Sequence, residues 1–147
     1  MPATISHELL APAAALVLWT LIILLYMAMV RFAAFKTAGI DLSKVPPGGR
    51  GQDLETVLPK SIMWPAHNYS HLVEQPTLFY ATVILLALMG EASQLNIALA
   101  WGYVALRVLH SIWQIRINTI PVRFATFLLS SLLLIALAVS ALRAALT

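Results

Sequence analysis

Two sets of polar side chains recur at helical spacing in this sequence. Arg107, His110, Gln114 and Asn118 stand at offsets of 0, 3, 7 and 11, which puts all four on one face of a helix. His67, His71 and Glu74 stand at 0, 4 and 7, again on one face, and Arg123 follows shortly after the first set. Such a cation-rich surface suits an anionic, water-soluble ligand, because the planar guanidinium fork matches a carboxylate with two parallel hydrogen bonds. Positive charge also lowers the pKa of a neighbouring thiol and makes the thiolate available at neutral pH. The chain holds no cysteine, so any thiol has to arrive with a ligand. A metal is a second chemistry for the same residues: His67, His71 and Glu74 have helical metal-ligand spacing, and His110 would complete a set of four. A purely structural role is the third. Arg107 with Glu74 reads as a buried ion pair gluing two helices, and His67, Asn68 and Arg116 read as headgroup-region residues.

The elements that must position these side chains follow from composition. Hydrophobic residues make up 61% of the 147-residue chain and charged ones 10%, with a mean hydropathy of +0.87. Soluble domains have about 45–50% apolar and about 25% charged residues, and a fold this small cannot hide the excess. The chain therefore reads as an all-α integral membrane protein with the lipid bilayer as its solvent. Disorder and a disulfide scaffold are excluded by the same arithmetic. The net charge of +3 is too small to argue for nucleic acid.

A hydrocarbon core about 30 Å thick needs about 20 helical residues. Leu9 to Val30 carries no charge, and no Lys or Arg precedes it, so it reads as a retained span rather than a cleaved signal peptide. Four spans are expected in a single domain over residues 1–147, at about 9–31, 66–90, 92–116 and 121–145, with Pro121 suited to the first turn of the last. Spans two and three reach membrane length only by including the polar stripes, and an ionisable residue at that depth usually marks a site. The long polar segment at about 35–61 contains the run Val45-Pro-Pro-Gly-Gly-Arg-Gly51, a loop by its helix- and strand-breaking residues. The other two links are short, which forces antiparallel neighbours and an up-down four-helix bundle.

Orientation follows from the cations near the span ends. Arg31, Lys36, Lys44, Arg50 and Lys60 lie in the first link and Arg116 and Arg123 in the third, whereas the second has none and the termini only Arg143. Links one and three are thus expected in the cytoplasm and both termini on the other side. The two polar stripes would then open toward the cytoplasm as a wet, charged crevice. Tyr26, Tyr69, Trp64 and Trp101 fit an interfacial belt.

The stretch Arg107-Val-Leu-His110-Ser-Ile-Trp-Gln-Ile-Arg-Ile-Asn118-Thr-Ile-Pro121-Val-Arg123 resembles the junction of spans three and four in the MAPEG family, the membrane-associated proteins in eicosanoid and glutathione metabolism. The stretch His71-Leu-Val-Glu74-Gln-Pro76-Thr-Leu-Phe79-Tyr80 is similar to that family's span-two signature, Asn-x-x-Glu with a proline shortly after. The resemblance covers most of the chain and implies a homotrimer with sites between protomers and glutathione as the thiol. Arg123 would stabilise the thiolate. Glu74 would contact the glutathione amino group, with His71 at the position of the family's Asn, and Arg107 and His110 would line or shape the pocket. Arg31 would reach the glutathione from the neighbouring subunit. Gln114 and Phe127 stand where family members carry tyrosines.

The leading expectation is a bacterial-type, inner-membrane transferase or peroxidase that joins glutathione to a lipophilic electrophile reached from the bilayer. The alternatives are a non-catalytic binding or scaffold protein of the same family and a metal-binding membrane protein.

Overall fold

The computed structural model describes residues 7–146. Four spans are built from five helices: α1 (His7–Ala38), α2 (Lys60–Glu74) with α3 (Pro76–Leu88), α4 (Gln94–Arg116) and α5 (Ile120–Leu146). Each of the four is long and apolar enough to cross a membrane. No strand occurs among the described residues. Short turns join α3 to α4 and α4 to α5, and α4 and α5 form the most extensive helix pair. Gly102 on α4 permits this closeness, since a Cβ there would stand 3.0 Å from the Leu133 side chain. Small residues let membrane helices approach where no hydrophobic force drives them together.

Each helix buries one narrow stripe and leaves the rest for lipid. On α1 the buried residues Leu9, Leu16 and Ile23 recur every seven positions, the period of a left-handed helix seam, while Leu18, Leu25 and Met29 on its other faces are exposed. On α5 the stripe is Ser130, Leu134, Leu137 and Ala141. Phe79 of α3 stacks on Tyr103 of α4 at 4.3 Å between ring centroids, closing the core between spans two and three. Helix α4 is anchored at its start by Ser93, whose hydroxyl accepts the Asn96 amide. The second span begins at Lys60, earlier than the residue 66 expected from hydropathy, because Pro59 sits just ahead of the helix and the polar residues 60–71 still fit a helix that buries Met63, Ala66 and Leu72.

The second span is broken at Gln75. Pro76 has no amide to donate and its ring presses on the preceding turn, so the helical ladder opens there. The His71 carbonyl, in the last turn before the break, accepts Arg107 Nη2 at 2.6 Å, and Gln75 Oε1 accepts Nη1 at 3.2 Å. Gln75 Nε2 in turn donates to Ser131 Oγ at 2.7 Å. One break thereby ties the second span to both α4 and α5. The expected Arg107–Glu74 ion pair is not formed: Arg107 is buried on carbonyl oxygens, and Glu74 is exposed on the outside of the bundle. The His71 carbonyl and the Gln75 amide oxygen lie inside with the guanidinium, and the Glu74 carboxylate points outward.

Replacing Arg107 with Leu should leave the His71 carbonyl and the Gln75 amide oxygen unpaired, at about 1–3 kcal/mol for each buried group. Pro76→Ala gives the Leu72 carbonyl its helical donor, straightens the second span and should shift Gln75 away from Arg107, so that Arg107→Leu costs less in that background. Thermal unfolding of the four proteins in detergent reads the coupling; strictly additive losses would show that the break and Arg107 act independently.

Candidate functional site

The polar face of α4 divides into a sealed part and an open part. Arg107, Ser111 and Gln114 are all buried to 1% exposure or less. Gln114 Oε1 accepts from Asn68 Nδ2 at 2.9 Å, and Ser111 Oγ donates to Asn68 Oδ1 at 2.5 Å. Asn68 is fully buried in this triad rather than in the headgroup region where its sequence position suggested. The three groups satisfy one another, as buried polar groups must in a medium without water. Much of the anticipated crevice is therefore dry protein interior. The sequence signal for the triad was present: Asn68 lies three residues after Pro65 and four before Leu72, both buried, on the inner face of α2.

His110 is almost as buried, at 2% exposure, but forms part of a wall. With His71, Ile120, Arg123, Phe124 and Phe127 it lines a cleft of about 390 Å³ between α2, α4 and α5. The His71 and His110 rings stand 5.7 Å apart, and the Phe127 ring meets His71 edge-on at 6.3 Å. Thr126, which sequence reasoning passed over, fixes the His110 ring. Its hydroxyl donates to the Val122 carbonyl at 2.9 Å, with the Arg123 carbonyl at 3.1 Å. A hydroxyl has one proton, so toward His110 Nδ1, at 3.0 Å, Thr126 is the acceptor. With the hydroxyl proton on a backbone carbonyl, this contact favours the tautomer that carries its proton on Nδ1.

Arg123 reaches the same cleft from the first turn of α5. Its Nη1 donates to Asn118 Oδ1 at 2.8 Å, and its Nε is buried without a partner. Asn118 takes a positive φ of 62° just beyond α4, where its amide donates to the Trp113 carbonyl at 2.9 Å. Asn is among the few residues that tolerate this conformation, so one residue both ends α4 and orients the arginine. No carboxylate pairs with Arg123 among the described residues, and its charge stays available to a ligand.

The other expected site residues lie apart. Glu74 is exposed on the bundle surface. Arg31, at the end of span one, lines two cavities between α1 and the long loop, neither of which includes His110 or Arg123. His67 bonds Glu55 Oε1 at 2.9 Å across an exposed surface rather than joining His71. Among the described residues no three His, Asp or Glu side chains converge as a metal ion needs, so the His67, His71, Glu74 and His110 set does not assemble.

The MAPEG family model matches residues 9–143, and the chain belongs to that family. No curated protein and no solved structure matches it.

Thr126→Val keeps the volume and removes the acceptor, so the His110 ring should lose its fixed tautomer, whereas Thr126→Ser should retain it. Nitrogen NMR of the His110 imidazole reads this directly, and an unchanged Nδ1–H signal in the valine variant would remove Thr126 from its role.

Proposed function

We propose that this chain, a membrane protein of the MAPEG family, is a glutathione-dependent transferase or peroxidase acting on a lipophilic electrophile. The observation that carries the reading is the cleft itself: an arginine without a carboxylate partner, beside two histidines, at the edge of an apolar bundle. MAPEG proteins in general use glutathione, and its thiol supplies the nucleophile that a cysteine-free chain lacks. Arg123 lowers the thiol pKa by favouring the anion. The proton leaves to solvent, and the sulfur attacks the electrophile that enters from the lipid side between Phe124 and Ile120, forming the C–S bond as the leaving group departs with its electron pair. His110, with Nδ1 bonded to Thr126, forms one wall of the cleft. His71 lines the opposite wall.

Glu74 supports the assembly part of the reading. It lies midway along the second span, Lys60–Leu88, and is exposed on the single chain. A carboxylate facing hydrocarbon costs about 2.5–3.5 kcal/mol even on gentle insertion scales. A homotrimer with glutathione between protomers removes that cost by covering Glu74 and giving it the ligand's amino group. Arg107 and Gln114 act on the ligand only through the fold, as their buried bonds are to protein groups. A second reading, a non-catalytic binding protein of the same family, is favoured by one observation: Gln114 is tied up in the buried triad and Phe127 presents a bare ring to the cleft. No hydroxyl therefore stands at the two positions where family members carry tyrosine.

Arg123→Ala should abolish the ultraviolet thiolate band of bound glutathione and cut turnover with chlorodinitrobenzene more than it weakens glutathione affinity. Arg123→Lys should recover part of the loss, since a point charge replaces a fork. A thiolate band that survives the alanine change would overturn the assignment.

Orientation is tested separately. Single cysteines at Ser43 in the long loop and at Ser93 between α3 and α4 report opposite sides of the membrane. An impermeant thiol reagent on intact cells should label position 93 and spare position 43, in keeping with a cytoplasmic loop and both termini outside a bacterial inner membrane. The reverse labelling would put the cleft away from cytoplasmic glutathione and leave the binding-protein reading.

A further inference from the structure

Ending α4 requires less than Asn118 supplies. The residue stands at a φ of 62° in the link to α5, a conformation that glycine meets at the lowest steric cost. Trp113 fixes the link from the last turn of α4. Its carbonyl accepts the Ile117 and Asn118 amides, each at 2.9 Å, and its Nε1 donates to Thr119 Oγ1 at 2.9 Å. These bonds hold the backbone of the turn, and none of them uses the Asn118 side chain. That side chain reaches instead to the first turn of α5, where Oδ1 accepts Arg123 Nη1 at 2.8 Å. The backbone of residue 118 ends the helix, and its amide serves the arginine.

The charges on either side of this bond define what it does. Toward the cleft, Arg123 shares its walls with the imidazoles of His71 and His110. On the other side, Asn118 lines a separate cavity of about 290 Å³ with Glu55, Lys60 and His67. The carboxylate of that cavity is engaged, because Glu55 Oε1 is bonded to His67 at 2.9 Å. Arg123 therefore meets a neutral dipole at a place where a carboxylate would form an ion pair. An amide oxygen fixes the direction of the guanidinium fork and leaves its charge whole. An aspartate of the same shape would fix the fork and cancel the charge, whereas a glycine would leave the charge and release the fork.

We infer that Asn118 is a positioning residue for thiolate formation: its neutral oxygen holds the Arg123 guanidinium toward the sulfur without weakening the charge that acidifies the thiol. The inference rests on the glutathione reading and adds to it the residue that sets the strength of the arginine. Asn118 acts only through Arg123. Asparagine unites the two requirements of the position, since it tolerates a positive φ and carries an uncharged acceptor. Glycine meets the first alone, and aspartate meets the first with a charged acceptor.

Those two replacements keep the turn and so separate the side chain from the fold. Nitrogen NMR of the full-length protein in detergent, with isotope-labelled arginine, reads the guanidinium directly; the Arg123 signals are those lost in Arg123→Lys. Wild type and Asn118→Asp should show distinct Nη signals, and in Asn118→Gly free rotation should merge them. With glutathione and chlorodinitrobenzene, Asn118→Gly should lower turnover at neutral pH about tenfold, as loss of one hydrogen bond to a charged group does. Glutathione affinity should fall less. Asn118→Asp should raise the apparent pKa of the bound thiol by about one unit, so turnover drops at neutral pH and recovers as the pH rises through the new value. Merged Nη signals in the wild type overturn the inference, as does an unchanged thiol pKa in Asn118→Asp. A wild-type protein without a thiolate band refutes the glutathione reading and this inference with it. A thiolate band and turnover that survive intact in Asn118→Gly refute the positioning role alone.

Discussion

An arginine held against the last turn of a broken helix sets three of the four spans relative to one another. In hydrocarbon no water is present to solvate a buried guanidinium, so protein dipoles must do so. Arg107 finds them beside the break at Pro76, on the His71 carbonyl and the Gln75 amide oxygen. A charged group is thereby held at membrane depth by neutral dipoles, with Gln75 sharing the load and passing the connection on to Ser131 of α5. Three spans are fixed relative to one another at a single level. The His71 side chain starts from the same residue whose carbonyl is clamped, and its ring faces His110 across the cleft as a consequence.

Around this clamp the polar residues of α4, all buried, divide their roles by the partners they meet. Ser111 and Gln114 close on Asn68 and form a dry lock between spans two and three. Such a buried polar lock resists sliding or rotation of the two helices, because any shift leaves several groups unpaired at once. His110 sits next to the lock but has one nitrogen committed to Thr126 and the other free. Arg123 is held by Asn118 through a neutral amide oxygen, which orients the guanidinium without neutralising it. Rigid support behind and unmatched polarity in front is the arrangement a binding cleft requires.

Much of this was legible in the sequence. Hydropathy and span length gave the four-helix membrane class, the loop run around Pro46 and Pro47 separated spans one and two, and the offsets of Arg107, His110 and Gln114 placed them on one face that α4 indeed turns inward. Spacing along a helix says which residues share a face, but not which partner wins when several are in reach. Arg107 was matched to the nearest carboxylate, Glu74, because charge is visible in a sequence. A backbone carbonyl such as that of His71 is not visible there as a partner. Thr126 was missed for a similar reason: its hydroxyl matters through one contact to His110 from the neighbouring helix, and helical periodicity within α5 gives no sign of it. Arg31 illustrates the limit for loops, since its place beside Gly51 follows from a backbone path that no repeat pattern encodes.

The proposed function requires that the cleft of His71, His110 and Arg123 receive glutathione and hold its sulfur as the anion. Calorimetric titration of the purified protein with glutathione, repeated in buffers of different ionisation enthalpy and with a metal chelator, decides this. Saturable binding is expected whose apparent heat varies with the buffer, because a thiol proton is released at neutral pH, and which the chelator leaves unchanged. Saturable binding with a buffer-independent heat would mean that the thiol stays protonated. The absence of any saturable heat, or binding that requires a metal, would overturn the glutathione reading altogether.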